Sequence, residues 1–501
     1  MIMRLLIALS ILFSYQLTIA QENTEIAWGS LERTIGDYSF RNSLNDSMTT
    51  SGNLIEVEKE GLYTFLNPAF DLLYGVSKKN NIQYGLGFDW HLKYRKWTAS
   101  ATFLGKKGNY LPYQEDFVRS HRVLPAMGVT NGLTNIYANY KSANLNFKAN
   151  DIFSFEMGYG RNFIGHGHRS LFLSDFGNAS PYFKVQTTFW NLQYTNLFAA
   201  YDNIFNVEGA SEHYQKKYTA THFLEWNIKK WISIGLFETV IWEGKQGNYR
   251  RGYDVNYLNP VIFYRPIEFS TGSPDNVLVG AQLAFKPSKY HQLYSQLVFD
   301  EFLLDELRAD VKQFMHPNQD IKSGWWANKY GVQLGWKATS LFKDPRFFTQ
   351  LEYNLVRPFT YSHSNPTQAY SNYNLPLAHP LGANFHELVS KLSYTKDRWR
   401  FTTQFNYSFK GHSKAGTNFG ENLEYSTISR EKEYENHIGQ GTYNDRVKYV
   451  NASVAYLIKK EWKANINLSY VYRESQHTAG AAEQMVYLGL RTNLFKQHFD
   501  F

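Results

Sequence analysis

Residues Gly158 to Ser174 are the first place in this chain where chemistry would be sought. They read Gly158-Tyr159-Gly160-Arg161-Asn162-Phe163-Ile164-Gly165-His166-Gly167-His168-Arg169-Ser170-Leu171-Phe172-Leu173-Ser174 and run on through Asp175 to Pro181. Glycines at this density let a backbone turn sharply and approach another element closely. His166, His168 and Asp175 offer ligand atoms, but two alternate histidines on a loop are a weak set, and no metal or other cofactor is assigned. A phosphate loop would end in Gly-Lys-Ser/Thr and enter a helix; this segment does neither. A second cluster spans the connection from Glu243 to Asp275, with Trp242, Tyr249, Arg250, Arg251, Tyr253, Tyr257 and Arg265. Aromatic faces stack on the C–H surfaces of sugars, and guanidiniums bond hydroxyls or pair with uronate and phosphate. Carboxylates such as Glu243 and Asp254 would hydrolyse a glycosidic bond only at a defined separation, and no Gly-x-Ser-x-Gly elbow is present. No catalytic residue is assigned, and no enzyme is expected.

These clusters are loops, and the elements that hold them read as strands. From Trp399 to Lys410, Trp399, Phe401, Thr403, Phe405, Tyr407 and Phe409 share one face, and Arg400, Thr402, Gln404, Asn406, Ser408 and Lys410 the other. Similar alternation marks Trp231–Trp242, Val277–Phe285, Trp462–Tyr472 and Met485–Phe495. A membrane barrel turns such greasy faces to lipid and the polar ones to its lumen. Short connections recur at Ser77–Asn81, Tyr94–Trp97, Ala149–Asp151, Lys229–Trp231, Lys286–Tyr290, Lys343–Phe347, Lys396–Trp399 and Lys459–Trp462. Most carry Lys or Arg at the tip and an aromatic just inside the next strand, as periplasmic turns beneath an aromatic girdle should. Long connections alternate with them and would face outward. The expectation is an all-β chain, a transmembrane antiparallel β-barrel of about eighteen strands with long extracellular loops.

Asp300–Phe314 breaks the strand pattern, with Phe302, Leu303, Leu307 and Val311 at helical spacing. It reads as a short loop helix, either folded over the lumen or simply solvated. Glu238 interrupts the outward register Ile232, Ile234, Leu236, Val240, and a bulge or a rim position is expected there.

Met1–Ala20 has a basic start, an apolar core and a Thr18-Ile19-Ala20 site, as a cleaved secretory signal does. Gln21–Glu60 is polar and is expected inside the barrel or in the periplasm, leaving 61–501 as the barrel. The chain has no cysteine, which removes disulfides, thiolate metal sites and thiol nucleophiles. Aromatics reach 17%, suiting two membrane interfaces. The net charge of +8 would favour acidic glycans or lipopolysaccharide phosphates. The basic residues are spread over turns and lumen faces, so no nucleic-acid partner is expected.

Gly165-x-Gly167, Ser170-Leu171, Leu173-Ser174 and Pro181 resemble the glycine-rich signature of the Wzi-like capsule-assembly outer-membrane family. The block Tyr257-Leu258-Asn259-Pro260-Val261 to Phe269 is similar to a second block that lies beyond the signature in that family, with most likeness to its gliding-motility RemB branch. A tryptophan pair associated with the capsule members is missing before Gly165. The resemblance implies an outer-membrane barrel, largely occluded, whose outer face binds surface polysaccharide, with a part in gliding or adhesion. Outer-membrane lipid, lipopolysaccharide and motility or export proteins are the implied partners. A diffusion channel or a structural partner of a motility or secretion machine are the rival readings.

Overall fold

The computed structural model describes residues 40–42, 52–77, 80–205, 213–245, 251–258, 275–301, 303–316, 318–477 and 482–501. The signal-like stretch 1–20 and most of the segment 21–60 lie outside them. Eighteen antiparallel strands close into one barrel. They are β1 (Leu62–Val76), β2 (Asn81–Tyr94), β3 (Trp97–Gly108), β4 (Ile136–Lys148), β5 (Phe153–Gly160) and β6 (Ser180–Phe189). Next come β7 (Leu192–Asn203), β8 (Gln215–Lys229), β9 (Ile232–Glu243), β10 (Asn276–Ser288), β11 (His291–Phe299) and β12 (Tyr330–Thr339). The wall is completed by β13 (Phe347–Val356), β14 (Phe385–Lys396), β15 (Trp399–His412), β16 (Tyr443–Lys459), β17 (Ala464–Ser475) and β18 (Glu483–Thr492). β18 pairs with β1, Val486 facing Val76, so no edge is left open. Among the described residues no helix is long and apolar enough to cross a membrane.

The period of two sets which side each residue meets. In β15, Trp399, Phe401, Thr403 and Phe405 are exposed to the outside while Arg400, Asn406 and Ser408 are buried in the lumen. At the turn end of the wall Trp97, Phe153, Phe189, Trp190, Trp226, Trp231 and Trp399 are exposed, forming the expected girdle. Turn cations lie over its rings: Arg95 is 5.2 Å from the Tyr94 centroid and Lys459 4.3 Å from that of Trp462.

Strand alternation corrects one of the expected turns. Ser77–Asn81 joins β1 to β2 at the same rim as the long loops, one strand away from the Tyr94–Trp97 turn, so it is an outer connection despite its brevity. Conversely, a tight turn at Trp190-Asn191 joins β6 to β7 at the girdle end; it lacks a basic tip, which hid it in the sequence.

The last strand stops at Thr492, short of the expected Phe495. Asn493–Phe501 instead turns into the lumen, where Phe495 stacks on Tyr140 at 3.8 Å and Leu494 joins the inner core. Trp462 likewise sits in the β16–β17 turn rather than in β17. In the N-terminal segment, Ile55–Lys59 folds back along β1 at the girdle end, fully exposed. Phe40–Asn42 pairs with Asn162–Ile164 of the glycine-rich loop.

Two helices sit in the outer connections. α1 (Pro112–His121), which the sequence pattern did not single out, follows β3. α2 (Leu304–Met315) matches the expected loop helix, but its apolar residues Leu304, Val311 and Met315 point to solvent. Its anchor is polar: Asp310 accepts from Gly324 N–H at 2.7 Å, Asn328 Nδ2 at 2.8 Å and Arg357 Nη1 at 2.6 Å. Glu238 lies in unbroken register between His222 and Val279, with no bulge. It is fully buried beside His222, whose ring bonds the Tyr194 hydroxyl, so the outward face of β8 and β9 is polar and covered here.

Candidate functional site

The glycine-rich segment does not stand out from the barrel as a surface loop. Every residue from Gly160 to Ser180 is buried, because the connection between β5 and β6 drops into the lumen. Its glycines answer to close approach. A Cβ on Gly167 would lie 2.5 Å from both the Arg169 carbonyl oxygen and Glu352 Oε2, and one on Gly165, at φ +147°, 2.7 Å from Gln296 Nε2. The loop is pinned to the wall by its own backbone. Glu352 on β13 accepts from His168 N–H at 2.7 Å and Arg169 N–H at 3.0 Å, and its remaining bonds come from Tyr294 at 2.7 Å and Asn354 at 3.0 Å. Gln296 on β11 accepts from Leu171 N–H at 2.8 Å. Ser170 Oγ donates to the Ile164 carbonyl and accepts from Phe172 N–H at 3.0 Å, and Ser174 Oγ donates to the Ala378 carbonyl. Leu171, Phe172 and Leu173 pack into the inner core, the Phe172 ring stacked on Phe237 at 4.5 Å. Pro181 opens β6 opposite Tyr159.

Arg169 is the hub of the lumen. Its guanidinium donates to both Glu387 oxygens at 2.9 and 3.2 Å, to Asp500 Oδ1 at 3.1 Å, to the Asp500 carbonyl at 3.2 Å and to His498 Nδ1 at 3.1 Å. Loop, wall and C-terminal tail thus meet on one side chain. Burial would push this guanidinium's pKa down, but Asp500 and Glu387 overcome it and raise it above the ordinary value. Burial opposes ionisation of Asp500 as well, yet Arg169 and the two histidines hold it well below the carboxylate range. His168 and His498 are held below the ordinary histidine value, chiefly by burial and then by Lys496.

His168, His498 and Asp500 bring ligand atoms within 4.8 Å of one another, the one metal-like cluster among the described residues. Their lone pairs already have donors. Arg169 reaches His498 Nδ1, and Lys496 reaches His168 Nδ1 at 3.3 Å. The other nitrogens face Asp175 at 3.2 Å and Asp500 at 3.3 Å. The arrangement is a hydrogen-bonded latch on the tail. His166, which the sequence grouped with His168, faces Glu225 at 3.3 Å instead.

Other connections complete the plug, and buried lysines hold them by their carbonyls. Lys217 donates to Ala369 O at 2.8 Å, Lys329 to Ser362 O at 3.0 Å, Lys337 to His166 O at 3.1 Å and Lys410 to Leu381 O at 2.7 Å. The lumen-facing cations that the sequence displayed on its strands are thereby turned toward loop backbone. Nothing in the local sequence signals this, because each partner carbonyl lies far away in the chain.

Of the residues named for sugar contact, Trp242, Arg251, Tyr253 and Tyr257 come together, on the outward side of β9 near the long-loop rim. Tyr249, Arg250, Arg265, Asn259 and Pro260 lie outside the described residues. The grouping is not an open platform. Trp242 is fully buried, its ring 5.1 Å from Tyr253 and 4.8 Å from Tyr257, and its Nε1 donates to Gly252 O at 3.1 Å. Tyr257, 1% exposed, donates to Asp275 at 2.7 Å. Arg251 forks between Asp275 at 2.7 and 2.8 Å and Asp254 at 2.8 and 3.1 Å. Trp242 and Tyr257 therefore position the loop, with no ring face left for a sugar. Asp254 falls below the carboxylate range because Arg251 outweighs the cost of burial. That Asp254 and Asp275 pair with Arg251 is not legible in the sequence, since their distance from it in space is a tertiary fact.

No protein-family model matches this sequence, and no curated relative matches it. Solved structures do match. The barrel is similar to Wzi, an outer membrane protein involved in group 1 capsule assembly in Escherichia coli and a carbohydrate-binding β-barrel. The TM-score is 0.50 at 13% identity, over 84% of this chain and 83% of that one. The fold is Wzi-like. Weaker likeness extends to OprD of Pseudomonas aeruginosa, with TM-score 0.40 and 9% identity over 85% of this chain and 94% of that one. OccK1 of the same organism gives 0.42 and 9% over 85% and 97%.

Proposed function

We propose that this outer-membrane barrel binds surface polysaccharide through its long-loop face and serves capsule-like assembly, adhesion or gliding. What carries the reading is the plug that the loops and the C-terminal tail build across the lumen. Lys217, Lys337 and Lys410, which an open pore would show to solutes, are bonded to plug carbonyls, and the Arg169 hub ties loop, wall and tail together. A protein built this way offers its ligand a rigid outer surface. The carbohydrate binding of Wzi is consistent with that reading. Lipopolysaccharide and motility or export proteins are the proposed neighbours, and no catalytic step is proposed.

The competing reading is a diffusion channel. Planar-bilayer recordings should give no porin-like conductance steps, and a glycan array of bacterial surface polysaccharides should give signal for at least one polymer. Arg251→Ala should weaken that signal by freeing residues 251–258 from Asp275. Regular conductance with a blank array would establish the channel instead.

A further inference from the structure

The wall has a notch at its long-loop rim. β5 pairs with β4 only from Ala143–Tyr159 down to Lys148–Ser154, and beyond Gly160 its chain drops into the lumen. Above Ala143, β4 therefore has a strand neighbour on one side only, β3. Asn131 closes the notch at the top, exchanging two backbone bonds of 2.9 Å with Tyr137. A cavity of about 260 Å³ lies here, lined by Val129, Asn139, Lys141, Tyr159, Tyr214 and Tyr373 among others. Strand parity points Lys141 and Tyr159 away from the lumen, and both are exposed.

A lysine in this position needs a reason. Lys141 stands seven residues above Lys148 at the girdle end, about 23 Å along the strand and less in height because barrel strands tilt. The apolar band is about 25 Å tall, so the side chain starts beneath its outer edge. An ammonium there is costly unless its stem lifts the charge to the headgroups. Other outward cations at this rim are engaged: Lys448 lies 3.2 Å from Glu474, and Arg446 3.1 Å from Gln476. The Lys141 ammonium has no hydrogen bond, ion pair or ring contact among the described residues. Nor has that of Lys107, which points outward on β3 four residues nearer the rim. From β2 to β6 the outward positions carry no Asp or Glu. Asp202, at the top of β7, is buried and paired with Lys216.

Two cations without an acidic counter-charge face the outer leaflet here, beside tyrosines that can bond and stack on a sugar. That combination is complementary to a phosphorylated glycolipid head. We propose that the notch seats the head of one lipopolysaccharide molecule, with one phosphate on Lys141, a second on Lys107 and a sugar against Tyr159. This gives a place to the lipopolysaccharide neighbour named above. It rests on the outer-membrane reading and not on polysaccharide binding by the loops.

The test is native mass spectrometry of the full barrel in lauryldimethylamine oxide, with bisphosphoryl lipid A as the probe. Wild type should retain one lipid A per barrel, with affinity falling tenfold or more in Lys141→Gln and severalfold in Lys107→Gln. Monophosphoryl lipid A should bind more weakly, and neither phosphatidylglycerol nor inorganic phosphate at equal concentration should displace the bisphosphoryl form. Lys448→Gln, at the same rim but already paired, should bind as wild type does. Absence of a one-to-one adduct overturns the proposal, and so does undiminished binding in Lys141→Gln. Displacement by phosphatidylglycerol or phosphate overturns it too, since any anion would then serve. Neither ammonium holds another part of the chain, so all variants should keep wild-type heat-modifiability; a Lys141→Gln barrel that fails to fold would make the lysine structural and sink the assignment. Long-polymer binding on a glycan array should be the same in every variant. A blank array with lipid A still retained would count against the outer-face reading alone.

Discussion

Two parts of one lumen have opposite accounts of their polar atoms. Around Arg169, guanidinium, carboxylates and imidazoles are matched donor to acceptor across three chain segments. Around Asn451, Asn465 and Asn467, amide oxygens are buried without a hydrogen-bond partner. The first pattern is what holds a plug in place, because a buried charge is tolerable only when paired. The second is a desolvation cost that the fold carries. Polarity inside a barrel is therefore not one property: the satisfied part holds the plug, and the unsatisfied part is a cost the wall absorbs.

Removing the hub should have the largest effect. Arg169→Met strands Glu387 and Asp500 without their cation, and breaking one side of such a buried pair costs about 3–5 kcal/mol. The barrel should unfold at markedly lower temperature in a heat-modifiability gel, and carboxypeptidase should trim the tail. Unchanged melting would mean that the hub is not what holds the plug.

Acid probes the same latch more gently. His168 and His498 lie below the ordinary histidine value, so the released state takes up protons first as pH falls through about 6.5, and stability drops with it. Lys496, Lys391 and Arg169 face His168 and keep its charged form unfavourable. Asp500, depressed, adds stability above the ordinary carboxylate range that is lost as pH falls through its folded value. Both signs agree: tail trimming should accelerate from about pH 6.5 downward and never on the alkaline side. A flat profile between pH 7 and 5 would remove the histidines from the latch.

On the outer rim, Tyr257→Phe deletes one hydrogen bond to Asp275 and leaves the packing on Trp242. The expected loss is about 0.5–1.5 kcal/mol, read as a small drop in melting temperature. The smallest effect should come from the girdle half of the wall, where Asn467→Leu removes an unpaired oxygen and should move stability by less than the Tyr257 change. A large loss there would erase the contrast between hub and wall.

The wall was legible in the residues because strand geometry is local. Alternation puts Phe401 outside and Arg400 inside whatever the rest of the chain does. The basic-aromatic turns add direction, and their one error, Ser77–Asn81, came from reading length instead of strand parity. α2 was visible in its spacing, but the spacing did not show that its anchor is polar: Asp310, on the face it shares with Leu303 and Leu307, makes the contacts. Trp242 shows the limit most clearly. Its type marks it as a sugar platform, and only the return of residues 251–258 across the wall reveals that its ring is already covered.

What the sequence determined by itself was everything of short range: strands, girdle, the sidedness of the wall, and a glycine-rich segment able to pass close to other backbone. What the tertiary structure decided was which long-range partners those groups found. Arg169 meets a carboxylate more than three hundred residues away, and the tail enters the lumen because Phe495 finds Tyr140 there. A side chain's direction is set by its neighbours in the chain, whereas its partner is set by closure of the whole barrel.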